Sequence, residues 1–178
     1  MTKPETIRFL LTAGRHPFSV GRVREVAALI LAHPKMISQL VEYLWDEDLG
    51  VANRAADALE RISYHQPALA APWKDSLLGL LAEAEQKKLR WNLALIVPRL
   101  TLTIVECQRA ASILRTYLED KSSIVKTCAM QGLAELTRQD PLLLPETLDL
   151  LRILTRTGTP AMRARGRILL KRLERARA

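Results

Sequence analysis

Three histidines, two cysteines, a short run of carboxylates and a closing series of arginines are the residues here whose types can do chemistry. His16 and His33 each precede a proline, and His65 lies two residues before one. At such helix ends an imidazole can satisfy the last free carbonyls, so a capping role is expected. Asp46, Glu47 and Asp48 lack the ligand spacing of a calcium loop. Their expected work is to start a helix and favour its positive end. Cys107 and Cys128 stand far apart on apolar helical faces, with no CxxC pair. Buried free thiols in a reducing cytosol are expected, with neither a disulfide nor structural zinc. The sequence has no HExxH, GxSxG, GxGxxG or phosphate-loop pattern. No catalytic constellation, metal site or cofactor is therefore expected.

The remaining chemistry is charge. The 178 residues carry a net charge of +8. Residues 1–150 balance 18 Lys and Arg against 18 Asp and Glu, whereas residues 151–178 hold nine basic residues and one acid, Glu174. Such asymmetry points to an acidic partner or nucleic acid. With 48% hydrophobic and 26% charged residues, the chain is expected to fold as one domain rather than remain disordered. Abundant Leu, Ala and Arg with seven glycines favour helix. No apolar run approaches the roughly 18 residues of a membrane span, and no signal peptide is read at the N-terminus. A cytoplasmic protein without membrane contact is expected.

The elements that carry these charges repeat. "GVANRAADALERI" (50–62), "KLRWNLALIVPRL" (88–100), "IVKTCAMQGLAEL" (124–136) and "AMRARGRILLKRL" (161–173) align without gaps at spacings of 38, 36 and 37. The columns read Val51, Leu89, Val125, Met162; Ala55, Leu93, Ala129, Gly166; Leu59, Val97, Leu133, Leu170; and Ile62, Leu100, Leu136, Leu173. These positions form one face of a helix, with small residues in the second column. Each segment follows another amphipathic stretch and a turn. Asp48, Ser122 and Thr159 occupy the N-cap column, and Pro160 follows at the first helical position. Gln86, in the same column, is a poorer cap. "HQPAL" (65–69) matches "QDPLL" (139–143), and "AHPKM" (32–36) is an earlier copy. Proline there ends one helix and starts the next.

A helix pair of about 37 residues cannot bury its apolar face alone, and stacked neighbours build a shared core. The pattern resembles the HEAT and armadillo class of α-solenoids, as do Arg90, Lys126 and Arg163, each directly after the first core aliphatic. Ala52 breaks that last feature. The resemblance implies an all-α, right-handed α-α superhelix of about four to five antiparallel helix pairs. Its expected divisions are a degenerate pair in 1–33 and repeats 34–66, 67–101, 102–139 and 140–178. The likeness is greatest to short bacterial HEAT-repeat proteins without an assigned activity. Two HEAT-like enzyme classes bear on function. AlkD-like DNA glycosylases use tryptophans, an aspartate and a basic groove, and here Trp45, Trp73, Trp91 and Asp46 are of those types. Bilin lyases resemble the chain at repeat level only.

The resemblance further implies that the second helices line a concave binding surface. With the core columns inward, helical geometry turns 53, 57, 60 and 64 outward, together with their counterparts Trp91, Leu95, Pro98 and Leu102; Thr127, Gln131, Ala134 and Arg138; and Ala164, Ile168, Lys171 and Arg175. The expected partner groove comprises Asp57, Tyr64, Trp91, Leu95, Gln131 and Arg138. The second helix of repeat two is apolar almost all round, so it is either covered on two sides or offers Trp91 and Leu95 to a partner. The expected basic patch is Arg163, Arg165, Arg167, Lys171, Arg172 and Arg175. It serves either as a solubilising cap or as a site for phosphates or an acidic protein. A protein or peptide is the first expected partner, and nucleic acid the alternative.

Overall fold

The computed structural model describes residues 3–14, 16–17 and 19–177. Among them there are ten α-helices and no strand: α1 Lys3–Thr12, α2 Val23–Ala32, α3 Ile37–Glu42, α4 Leu49–His65, α5 Lys74–Glu83, α6 Lys87–Ile96, α7 Ile104–Tyr117, α8 Ser123–Leu136, α9 Leu144–Thr157 and α10 Pro160–Arg177. The chain divides into two compact units, Met1–Leu77 and Leu78–Ala178.

Local chemistry accounts for the helix boundaries. The Asp48 carboxylate accepts from the Gly50 and Val51 N–H groups at the start of α4, as expected of an N-cap. Thr159 precedes α10 and its hydroxyl accepts weakly from Met162 N, at 3.4 Å. Ser122 differs: it holds the N-cap position of α8, but its side chain makes no capping bond. Asp120 instead takes the Ser122 N–H at 2.7 Å, and Ser123 Oγ lies 2.6 Å from Thr159 Oγ1. Gln86 also makes no side-chain cap. Helix α7 opens with a reciprocal capping box between Thr103 and Glu106. Pro34, Pro67 and Pro141 each start a 3₁₀ turn after a helix, as their sequence contexts predict. His33 caps α2 through its backbone N–H.

In the first unit, α4 packs against α1, α2 and α3. Its Arg54, only 3% exposed, donates through Nε to the Leu11 carbonyl and through Nη1 to the His16 carbonyl. The guanidinium thus ties the end of α1 and the following segment to α4. Burying so polar a group is tolerable because it meets carbonyls freed at a helix end. In the second unit, α8 lies between α6 and α10 and also touches α7 and α9. Gly132 lets the first of these contacts close. A Cβ there would sit 2.4 Å from the Ala94 carbonyl oxygen.

Fifteen of the sixteen residues in the aligned core columns are buried. Leu170 is half-buried, and its neighbour Leu169, 1% exposed, takes the interior place. The outward-facing set holds less well. Asn53, Pro98, Leu102 and Ala134 are buried, and Asp57, Glu60, Thr127 and Gln131 are half-buried. The cause is packing on more than one side. Asn53 Nδ2 reaches the Pro17 carbonyl, and Pro98 Cγ lies 3.2 Å from where a Cβ on Gly132 would stand. Gln139 fastens the segment at Leu102: its Nε2 donates to the Pro98 and Leu100 carbonyls at 3.0 Å, and its Oε1 accepts from Leu102 N at 2.9 Å. Only in α10 does the whole outward set, Ala164, Ile168, Lys171 and Arg175, stay exposed.

Candidate functional site

Helix α10 packs on α8 and α9 through Met162, Gly166, Leu169 and Leu173. Its basic residues then fall into two groups. Arg165 and Arg172 lie seven positions apart and both reach α8. Arg165 Nη1 donates to Gln131 Oε1 at 3.3 Å, and Arg172 Nη1 to Glu135 Oε1 at 2.7 Å. Gln131 Nε2 also donates to Glu135 Oε1, at 2.6 Å, and Arg138 stands 3.7 Å from Glu135 Oε2. So Gln131 and Arg138 of the expected groove and Arg172 of the expected basic patch meet around one carboxylate, and Arg165 joins them through Gln131. Glu135 was not among the expected site residues, yet a signal existed. It shares an alignment column with Arg172, of opposite charge.

The second group is Arg163, Arg167, Lys171 and Arg175. They recur every four residues, all are exposed, and none has a hydrogen-bond, ion-pair or aromatic partner among the described residues. The acid of this helix, Glu174, is drawn aside toward α9, where Arg152 Nη2 lies 3.4 Å from its Oε1 and 3.0 Å separates Arg152 Nη1 from Asp149 Oδ1. An open surface depression is lined by Arg167, Leu170, Lys171, Glu174 and Arg175. Ile168, 60% exposed, is an apolar side chain on the same open face. Each free cation therefore keeps all its donors for an anion.

The other expected groove residues divide between the units. Asp57 and Tyr64 belong to the first, where Tyr64 is 70% exposed and stacks edge-on against His65. Trp91 and Leu95 belong to the second, and both are half-buried. Their helix, α6, buries Leu89, Leu93, Ala94 and Ile96 completely or nearly so. Trp45 is 51% exposed, but the adjacent Asp46 carboxylate takes the Arg8 guanidinium and the Asp48 N–H.

Two turns are fastened by the same aspartate arrangement, which no spacing in the sequence marks. Asp46 Oδ1 accepts the N–H two residues on, and an arginine engages its other oxygen. Asp120 does the same with Ser122 N and Arg90 Nη1, the latter at 2.6 Å. Arg90 also donates to the Ala84 carbonyl and stands 5.3 Å from the centre of the Tyr117 ring. The Tyr117 hydroxyl donates to the Leu81 carbonyl at 2.5 Å. Burial, partly offset by Arg90, pushes that phenol up to about 12, so it remains a neutral donor. This cluster is a fastening between turns.

No group of three or more His, Cys, Asp or Glu residues is placed to hold a metal ion among the described residues. None of their helices is long and apolar enough to cross a membrane. No protein-family model matches the chain, and no curated protein matches its sequence.

Proposed function

We propose that this chain is a HEAT-like helical-repeat protein that works by binding another protein or peptide along its second helices, without catalysis, in the cytoplasm. The carrying observation is the in-register burial of the aligned columns. Residues 36 to 38 positions apart are buried in α4, in α6 and the turn after it, in α8 and, Leu170 excepted, in α10. That is how a stack of like hairpins spends its apolar residues, leaving the surface between hairpins for a partner. Trp91 and Leu95 support α6 as the anchor, since each keeps part of an apolar side chain at the surface. Aromatic anchors of this kind dominate many interfaces. Cys107 and Cys128 are not joined in a disulfide, which fits a reducing compartment.

Affinity capture from native lysate, with and without nuclease, tests the reading. The wild-type chain should retain a nuclease-resistant protein partner. A Trp91→Ala chain with unchanged thermal stability should lose most of it. Full capture by that variant overturns the role of α6.

A further inference from the structure

We propose that the open face of α10 is a contact site for the phosphate backbone of duplex nucleic acid, with Arg163, Arg167, Lys171 and Arg175 as the phosphate ligands. This goes beyond the protein-binding reading and does not depend on it. The four cations climb the helix in steps of about 6 Å and span about 18 Å, given a rise of roughly 1.5 Å per residue. They drift round the axis by about 40° per step, so together they form one oblique line. All four are exposed, and their side chains have no partner among the described residues. Three are arginines, whose planar forks match phosphate oxygens.

The surroundings fix how this line is presented. Arg165 and Arg172 are engaged by Gln131 and Glu135 on α8, and Glu174 by Arg152 on α9. The bonds of Arg165 and Arg172 turn those two side chains toward α8, while Glu174 lines the same depression as Arg167, Lys171 and Arg175 with Arg152 beside it. The only acid of residues 151–178 is thereby partly neutralised, while residues 1–150 have no net charge. The field of the chain is thus concentrated on this helix.

Charge complementarity alone would also suit an acidic protein, but the face lacks what protein interfaces are built around. Their centres are depleted of charge and enriched in aromatic and apolar anchors. Here α10 contains no aromatic residue, and Ile168 is the one large apolar side chain that is mostly exposed. Nucleic-acid interfaces are instead polar, strongly positive and wet. The missing aromatics also disfavour single strands, which are held largely by base stacking. A backbone contact without base readout is what remains.

Fluorescence anisotropy with a 30-base-pair duplex of arbitrary sequence, as DNA and as RNA, tests the proposal between 20 and 200 mM salt. Four phosphate contacts predict a slope of log K against log salt of about −3.6 on DNA. The variant R163Q/R167Q/K171Q/R175Q should lose at least about tenfold in affinity at the lowest salt and most of that slope, since each contact contributes about 0.9. A control that removes four exposed cations elsewhere, K35Q/R61Q/R109Q/K121Q, should keep the slope. Thermal melts establish that both variants fold, and single substitutions along the line should each lower the slope by about 0.9. Trp91→Ala should bind duplex like wild type, so failure of the groove reading leaves this one standing. No duplex binding at 20 mM salt, equal losses in the two quadruple variants, or binding to polyglutamate without binding to duplex would each overturn the proposal. A difference between the DNA and RNA arms identifies which duplex is the ligand.

Discussion

Arg172 of α10 meets Glu135 of α8 at 2.7 Å, and these two residues occupy one column of the aligned segments. The ion pair is therefore a link between hairpins, made by equivalent positions of opposite charge. Arg172 is 41% exposed and Glu135 20%, so solvent screens the pair in part. A double-mutant cycle with Glu135→Gln and Arg172→Gln should give a coupling of about 0.2–1 kcal/mol in chemical denaturation, falling as salt rises. The single Glu135→Gln change should cost more than Arg172→Gln, because Gln131 and Arg138 lose the same carboxylate.

Asp120 carries a pH dependence. Burial pushes its carboxyl up, but the Ser122 N–H, the Arg90 guanidinium and the Lys126 charge outweigh this and hold it below the usual range. Folding therefore favours the ionised form. That contribution is complete above the unfolded value, about 3.9, and is lost as pH falls through the lower folded value. Asp120→Asn should lower stability by roughly 1–3 kcal/mol at pH 7. Melting curves from pH 7 down to pH 2.5 should converge on those of wild type at the acid end.

Two glycines predict opposite signs for the same substitution. A Cβ on Gly132 would meet the Ala94 carbonyl oxygen at 2.4 Å and Leu114 Cδ1 at 2.8 Å. Gly132→Ala should destabilise by about 1–3 kcal/mol despite its better helix propensity. A Cβ on Gly79, inside α5, meets nothing within 4 Å. Gly79→Ala should stabilise by about 0.5–1 kcal/mol. Urea denaturation of the two variants checks both signs.

The thiols should differ in reactivity. Cys107 is wholly buried, and burial first, then the charges of Asp140 and Glu106, push its thiol up. Cys128 is half-buried. A chromogenic disulfide reagent at pH 8 should modify Cys128 in the native protein and reach Cys107 only as fast as the fold opens.

The helical fold and its interior were legible in the sequence because the period is written in residues that must be apolar. Val51, Leu89, Val125 and Met162 have one job four times over, and the prolines at 34, 67 and 141 mark the returns. The surface was less legible. Asn53 and Ala134 look outward from a single core face, but α4 and α8 each carry neighbours on more than one side, which a one-helix projection omits. Ser122 has the chemistry of a cap, yet Asp120 two residues earlier already holds the backbone there. Glu135 matters through its partners on α8 and α10, and such a role shows only when columns are compared for charge as well as for apolarity.

The contact at Gly132 also bears on how the second unit yields to force. At Gly132 the Ala94 carbonyl approaches the backbone of α8 with no side chain between them, so at that point no rotamer can change to absorb a displacement. The α6–α8 seam should behave as a stiff hinge-free joint under load. Compliance then falls to the hairpin turns, and the Asp120–Arg90 ion pair ties the one between α7 and α8 back to α6.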